Sequence, residues 1–400
     1  MYMNIFVLYF YVMQDNLFDN TEIAFKNKSA FALYRGFIIF KIISFPRIVS
    51  IAKFILSLRL IYPLTKVLLK NTMLKQFCGG QSEDDCKDLI NDLSSRNVYS
   101  ILDYSVEGLE NEHSFDETVI RTLNLIELNT NNNFPFIVFK PTGVGRFDLY
   151  HKVSSKVKLS DAENIEWLKV LRRYDTICNT ALTNNVCVLI DAEESWIQSS
   201  IDEIYESLVL KYNSKKAIVY NTVQAYRVDR LEYLKKLHHS FSSKDVHLGI
   251  KLVRGAYMEK ERDRANALNY LDPIHKSKED TDKYFNISMI YMFENVNLFS
   301  IFIGTHNEES NYLALEYINK YNIKNDKVWF SQLFGMSDHI SYNLSNQGHN
   351  VAKYLPFGPF KGVIPYLFRR AEENTAVEGQ TSRELFLYSK EIKRRNYSKL

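Results

Sequence analysis

Between residues 98 and 358 the chain repeats one pattern: a short apolar run rich in β-branched and aromatic residues, closed by a polar residue, then a longer stretch with helical spacing. Strands are predicted at 98–108, 136–143, 186–194, 217–226, 247–257, 298–307, 328–336 and 351–358. Helices are predicted between them, among them 115–129, 161–185, 198–212, 229–242, 283–297, 308–321 and 338–347. Continuous apolar strands alternating with helices imply a parallel sheet covered on both faces. Eight repeats in roughly 300 residues fit an α/β fold of the (βα)8 TIM-like barrel type better than an open doubly wound sheet, which more often carries a glycine fingerprint. The predicted organisation is an N-terminal helical arm at 1–77, the barrel at 78–376 and a C-terminal helix or tail at 377–400.

In such a barrel the strand middles are buried, and polar groups at the C-terminal ends face a common site. The ends carry Glu107, Lys140, Asp191, Gln224, Lys251 with Arg254, His306, Gln332 and Tyr354. A charge wherever a strand meets solvent explains one such residue. It does not explain eight in register, which point to a shared site. Lys251 sits in an apolar strand, where an unpaired ammonium is costly. Three readings compete for it: a structural ion pair with Asp191, a Schiff-base lysine, and contact with an electron-rich cofactor ring. His306 has no second His or Cys at ligand spacing, so no metal is expected, and Asn307 or Thr305 serves more simply as the cap of the next helix. In the stretch 366–376, Arg369 and Arg370 stand side by side with Glu373 one turn on. A solvated face with weak i,i+3 and i,i+4 pairs is the plain reading, and a carboxylate clamp is the sharper one.

Composition narrows the function. Apolar residues make up 46% of the 400 and charged residues 24%, as in ordinary globular proteins, and a net charge of +3 offers no basic field for nucleic acid. The four cysteines show no zinc or disulfide spacing, which suits a reducing, cytoplasmic compartment. Neither Gly-x-Gly-x-x-Gly nor a P-loop occurs. The apolar start at 1–13 is too short to span a bilayer and lacks the features of a signal peptide, and 1–12 reads as preceding the native start at Met13. Residues 36–62 are apolar but interrupted by Lys41, Pro46, Arg47, Lys53 and Arg59, which argues against a transmembrane helix. Their cations scatter over several azimuths. A helical arm packed on the main domain is the first reading, and contact at the inner face of a membrane the second.

The segment Lys251-Leu-Val-Arg-Gly-Ala-Tyr257 resembles the most characteristic stretch of the proline dehydrogenase family. Asp191-Ala-Glu-Glu, Gln224-Ala-Tyr226, Gly304-Thr-His-Asn307, Ser331-Gln-Leu-Phe-Gly-Met336, Tyr354-Leu-Pro-Phe-Gly358 and Arg369-Arg-Ala-Glu-Glu-Asn374 match in family order, from about residue 78 to 376. The resemblance implies a distorted barrel that holds FAD without a dinucleotide fingerprint and oxidises L-proline to Δ1-pyrroline-5-carboxylate by hydride transfer from C5 to flavin N5. It implies flavin contacts at Ile190, Gln224, Lys251, Val253, Arg254, Gly255, Ala256, Thr305, His306, Gln332 and Glu373, and substrate contacts at Lys140, Asp191, Tyr257, Tyr354, Tyr366, Arg369 and Arg370. Asp191, Lys251, Arg369 and Arg370 carry the catalytic expectation, and Glu107 that of a gate pairing with the first arginine.

Two departures stand out. Many bacterial members have Arg and Lys where this chain has Lys251 and Arg254, an order that resembles the eukaryotic-type branch, and Thr222 occupies a position that is often tyrosine. Tyr354 favours proline over hydroxyproline, because related hydroxyproline-oxidising enzymes have a smaller residue there. The resemblance implies a quinone as electron acceptor and a separate pyrroline-5-carboxylate dehydrogenase for the second oxidation. The rivals are a flavin-free barrel aldolase or lyase using Lys140 or Lys251, and a non-catalytic interaction protein on an inactive barrel. Flavin absorbance separates the first rival.

Overall fold

The computed structural model describes residues 17–45, 47–48, 51, 69–104, 110–128, 134–376 and 380–397. Among the described residues, helices α1 (Thr21–Phe25), α2 (Ala30–Ile43) and α3 (Lys87–Ser94) precede the first strand, with short helical stretches at Lys70–Leu74 and Lys75–Phe77. The alternation follows, with β1 (Val98–Tyr104), α4 (Glu112–Glu127), β2 (Phe136–Phe139), α5 (Phe147–Ser154), α6 (Asp161–Thr183), β3 (Cys187–Ile190), α7 (Ser195–Tyr212) and β4 (Val219–Gln224). It continues through α8 (Arg230–Phe241), β5 (Leu248–Val253), α9 (Met258–Leu268), α10 (Lys278–Glu294), β6 (Phe299–Gly304), α11 (Glu308–Lys320) and β7 (Val328–Leu333). The last elements are α12 (Asp338–Asn346), β8 (Val351–Phe357), α13 (Phe360–Ala376) and α14 (Gln380–Tyr397).

All eight strands lie where the apolar runs predict, in one sheet ordered β1-β8-β7-β6-β5-β4-β3-β2. The pairings from β2 to β7 are parallel. This is a nearly closed (βα)8 barrel. Of the polar residues that close the runs, Lys140, Asp191 and His306 lie just beyond their strands, while Gln224, Lys251, Gln332 and Tyr354 lie within theirs. Helix α9 has no counterpart among the predicted helices, since Met-Glu-Lys-Glu-Arg-Asp-Arg-Ala-Asn-Ala-Leu has no apolar stripe. A polar anchor holds it instead: the buried Glu261 carboxylate accepts Ser195 N–H and Oγ–H, both at 2.6 Å.

The chain divides into two compact units, one of Met1–Val98 with Gln332–Leu400 and the other of Tyr99–Ser331. In the first unit α2 packs on α14. Phe40 lies 5.6 Å from the Tyr388 ring and 5.9 Å from that of Phe77, and Phe25 lies 4.7 Å from Tyr388. Gly36 makes the approach possible, because a Cβ there would stand 2.5 Å from Tyr388 Cε1. Charged side chains complete the clasp: Arg395 donates to the carbonyls of Phe25 and Lys28 at 2.6 Å each, and Arg383 pairs with Asp19 at 2.6 Å.

At the centre of this unit, Asp338 bridges two ammonium groups, Lys28 at 3.1 Å and Lys353 at 3.0 Å, the latter with no solvent exposure. Burial opposes ionisation of Asp338, yet Lys28 and Lys353 more than offset it and hold the carboxyl well below its usual range. Its stabilising contribution is therefore present above the ordinary carboxylate range and lost only as the pH falls below it. Removing one partner of such a buried group leaves uncompensated charge. Asp338→Asn is expected to lower the unfolding free energy by about 3–5 kcal/mol at pH 7, as measured by urea denaturation.

Candidate active site

The unit Tyr99–Ser331 is built over an aromatic floor. Phe136 on β2 meets Tyr220 on β4 at 5.4 Å, Phe302 on β6 at 5.0 Å and Trp329 on β7 at 5.0 Å, and Tyr99 on β1 meets Trp329 at 5.2 Å. These strands are not sheet neighbours of one another, except β6 and β7, so the rings meet across the barrel interior. Gly249 on β5 leaves the space, since a Cβ there would lie 2.7 Å from Tyr220 Cγ. Side chains alternate along a strand. Residues two and four beyond the floor therefore point inward above it: Thr222 and Gln224, Lys251 and Val253, Gly304, and Ser331.

The charged layer follows from that alternation. Lys251 Nζ donates to Asp191 Oδ1 at 2.5 Å, and both side chains are largely buried. The structural ion pair, one of the three readings of Lys251, is thus present, and it holds the ammonium in place without excluding a cofactor above it. Lys140, just beyond β2, stands 3.6 Å from Asp103. Ile190 is fully buried, and its carbonyl accepts the Thr222 hydroxyl at 2.7 Å.

Arg254 leaves the end of β5 and is held on three sides. It donates to Asp282 at 2.6 Å, to Ser310 Oγ at 3.1 Å and to Thr305 Oγ1, and its guanidinium lies 4.4 Å from the Phe285 ring centroid. Burial lowers its pKa, with Asp282 working against that. Gly255 follows at φ +130°, a conformation that L side chains rarely adopt, and a Cβ there would lie 2.5 Å from Tyr226 Cδ1. Ala256 is exposed and Tyr257 half-buried, as is His306. Asn307 caps α11, accepting Ser310 N–H at 2.7 Å, as its sequence position suggests.

The first unit holds the other expected residues. Tyr354 on β8 and Tyr366 on α13 are buried. Arg370 is only 8% exposed, with its guanidinium 5.1 Å from the Tyr366 ring centroid, and Arg369 is half-buried. A solvated face does not describe Arg370. Gln332 differs from the expectation of a flavin contact. Its Oε1 accepts the Ser341 hydroxyl of α12 at 2.7 Å, on the helix side of β7. Glu107 lies outside the described residues, and so does the side chain of Glu373.

The proline dehydrogenase family model matches residues 86–383. The chain belongs to the proline dehydrogenase family. It is an oxidoreductase of that family, whose reaction is the oxidation of proline. Carbapenem antibiotics biosynthesis protein CarD of Pectobacterium carotovorum subsp. carotovorum is 32% identical over 80% of this chain and 83% of its own length. Mitochondrial proline dehydrogenase 1 of Dictyostelium discoideum is 32% identical over 94% of this chain and 74% of its own. Among solved structures, proline utilization A (PutA) from Bdellovibrio bacteriovorus inactivated by N-propargylglycine superposes with a TM-score of 0.68 at 19% identity, over 79% of this chain. That likeness shows the fold, and the present chain spans 34% of the longer protein.

Sequence reasoning missed two further groups that the family barrel brings to this region. His275, in the loop before α10, is buried with its ring stacked on Tyr284 at 4.3 Å, and its backbone N–H donates to the Tyr226 carbonyl at 2.7 Å. Nothing in its local pattern marks it. Glu193, two residues past Asp191, is buried and accepts Thr142 N–H at 3.0 Å and Thr142 Oγ–H at 2.7 Å. Burial pushes its pKa from 4.5 to about 7, with the Thr142 bonds and Lys140 opposing the rise. Between these two pH values the unfolded chain has released the proton that the folded chain keeps. Stability from this group therefore falls as pH rises through that window and is level above it. The melting temperature of wild type relative to Glu193→Gln is expected to drop between pH 5 and pH 8. A gap that stays constant would remove the assignment.

Proposed function

We propose that this protein oxidises L-proline to Δ1-pyrroline-5-carboxylate with FAD as the hydride acceptor, and that a quinone then takes the electrons. The observation that carries the cofactor reading is the interior polar layer above the aromatic floor. Gln224 is 2% exposed, and its Oε1 has no hydrogen-bond partner among the described residues, although its Nε2 lies 3.4 Å from Tyr226 Oη. A buried carbonyl oxygen in that state is costly and fits a ligand with a polar edge. Gly255 lets the backbone pass against the Tyr226 ring, and Lys251 and Arg254 supply fixed cations. These residues fit a flavin, and they would hold it together with Ile190, Val253, Ala256, Thr305 and His306.

FAD, when bound, would supply a two-electron acceptor for the hydride of proline. The side chains do the rest by position and charge. Lys251, held in place by Asp191, would stabilise negative charge that develops on the oxidant. Arg369 and Arg370 offer the planar fork that matches a carboxylate in geometry as well as charge, for which lysine is a poor substitute. Tyr257, Tyr354 and Tyr366 combine apolar rings for the proline methylenes with hydroxyls at the edge. Holding C5 in one orientation can supply about 7–11 kcal/mol of the barrier. No side chain is assigned as a general base, because proline enters with its amine neutral. The product passes to a separate pyrroline-5-carboxylate dehydrogenase.

Anaerobic addition of L-proline is expected to bleach the flavin absorbance of the purified protein, and Arg370→Lys to require at least ~10-fold more proline for the same rate. A colourless protein that traps substrate covalently upon borohydride treatment would support the aldolase instead.

For the quinone step we propose a cytoplasmic protein that rests on the inner face of a membrane through α2. Phe31, Tyr34, Ile38 and Ile42 recur every three or four residues on its outward side and are 47–74% exposed. No described helix is long and apolar enough to cross a membrane. Phe31→Ser with Ile38→Ser is expected to abolish sedimentation with anionic phospholipid vesicles, measured at equal protein concentration; sedimentation equal to wild type removes this surface.

A further inference from the structure

The Ser-Gln pair of β7 is split by the alternation of the strand. Trp329 points into the barrel, as its contacts with Phe136 of β2 and Tyr99 of β1 require. Ser331, two residues on, takes the same inward face. Gln332 takes the opposite face, where its Oε1 is occupied by the Ser341 hydroxyl at 2.7 Å. What this strand offers the interior is therefore a hydroxyl.

Ser331 is 3% exposed, and its Oγ has no hydrogen-bond partner among the described residues. Its neighbour in register on β6 is Gly304, so no side chain of that strand stands beside the hydroxyl. Gly304 cannot easily be larger, because a Cβ would lie 2.9 Å from Val253 Cγ1. Gln224 Oε1 on β4 is a second inward-facing polar atom of this unit without a partner among the described residues. Two buried polar atoms on different strands, each lacking a partner and both above the same aromatic floor, mark the edge of a group bound inside.

We infer that Ser331 Oγ donates a hydrogen bond to an acceptor on the bound flavin ring system, so that Ser331 and not Gln332 is the cofactor contact of β7. The inference rests on the flavin reading above. A hydroxyl that donates to the ring favours the reduced form, which carries more negative charge there.

The test uses the full chain, stripped of flavin and reconstituted with FAD. Ser331→Ala is expected to weaken FAD binding about tenfold, to shift the flavin absorption band and to lower its reduction potential. Ser331→Thr, which keeps the hydroxyl, is expected to restore all three, and this distinguishes a lost hydrogen bond from a lost fold. Wild-type protein that takes up FAD while Ser331→Ala matches it in affinity, spectrum and potential overturns the inference and leaves the flavin reading standing. The inference falls in the same way if spectrum and affinity move with Gln332→Leu and not with Ser331→Ala. Wild-type protein that takes up no FAD overturns both.

Discussion

Phe136 organises the barrel. Its ring touches rings from β4, β6 and β7, strands that the sheet order keeps apart from β2, and so it fixes which face of each strand is the inside. Once that face is set, the period of two along a strand assigns every residue above the floor without further choice. Lys251 must point inward because Gly249 does, and Gly249 does because the Tyr220 ring fills the space where its Cβ would be. A strand displaced by one residue would exchange Lys251 for Leu252 and send the ammonium into the apolar helix layer.

The charged layer above the floor is stable because each group is fixed by a partner of its own. Asp191 holds Lys251, Asp103 faces Lys140, and Asp282 with Ser310 and Thr305 holds Arg254. An ammonium or guanidinium held in this way keeps its direction. The same principle operates in the unit that contains the N-terminal helices. There Asp338 pairs with both Lys28 and Lys353, and the arm is fastened by a buried ionic bridge as well as by the rings of Phe25, Phe40 and Tyr388.

Much of the architecture is readable from residue pattern. The eight apolar runs form eight strands, and Asn307, expected as a cap, is the N-cap of α11. The pattern fails where the stabilising contact is polar and distant in sequence. Helix α9 carries no stripe because it is tied down by Glu261 to Ser195, 66 residues away. Glu193 looks in the sequence like one of two ordinary acids after Asp191, and only its burial raises its pKa to about 7, against the pull of the Thr142 bonds.

The sequence by itself determined the family and the parallel barrel, because hydrophobic period and short motifs are local properties of the chain. Tertiary structure alone decided which of two adjacent residues faces the interior. Ser331 and Gln332 are equally polar and equally suited to a cofactor, and no local rule ranks them. Trp329 settles the matter by packing on Phe136, since a long-range ring contact sets the rotation of β7 and every side chain after it follows.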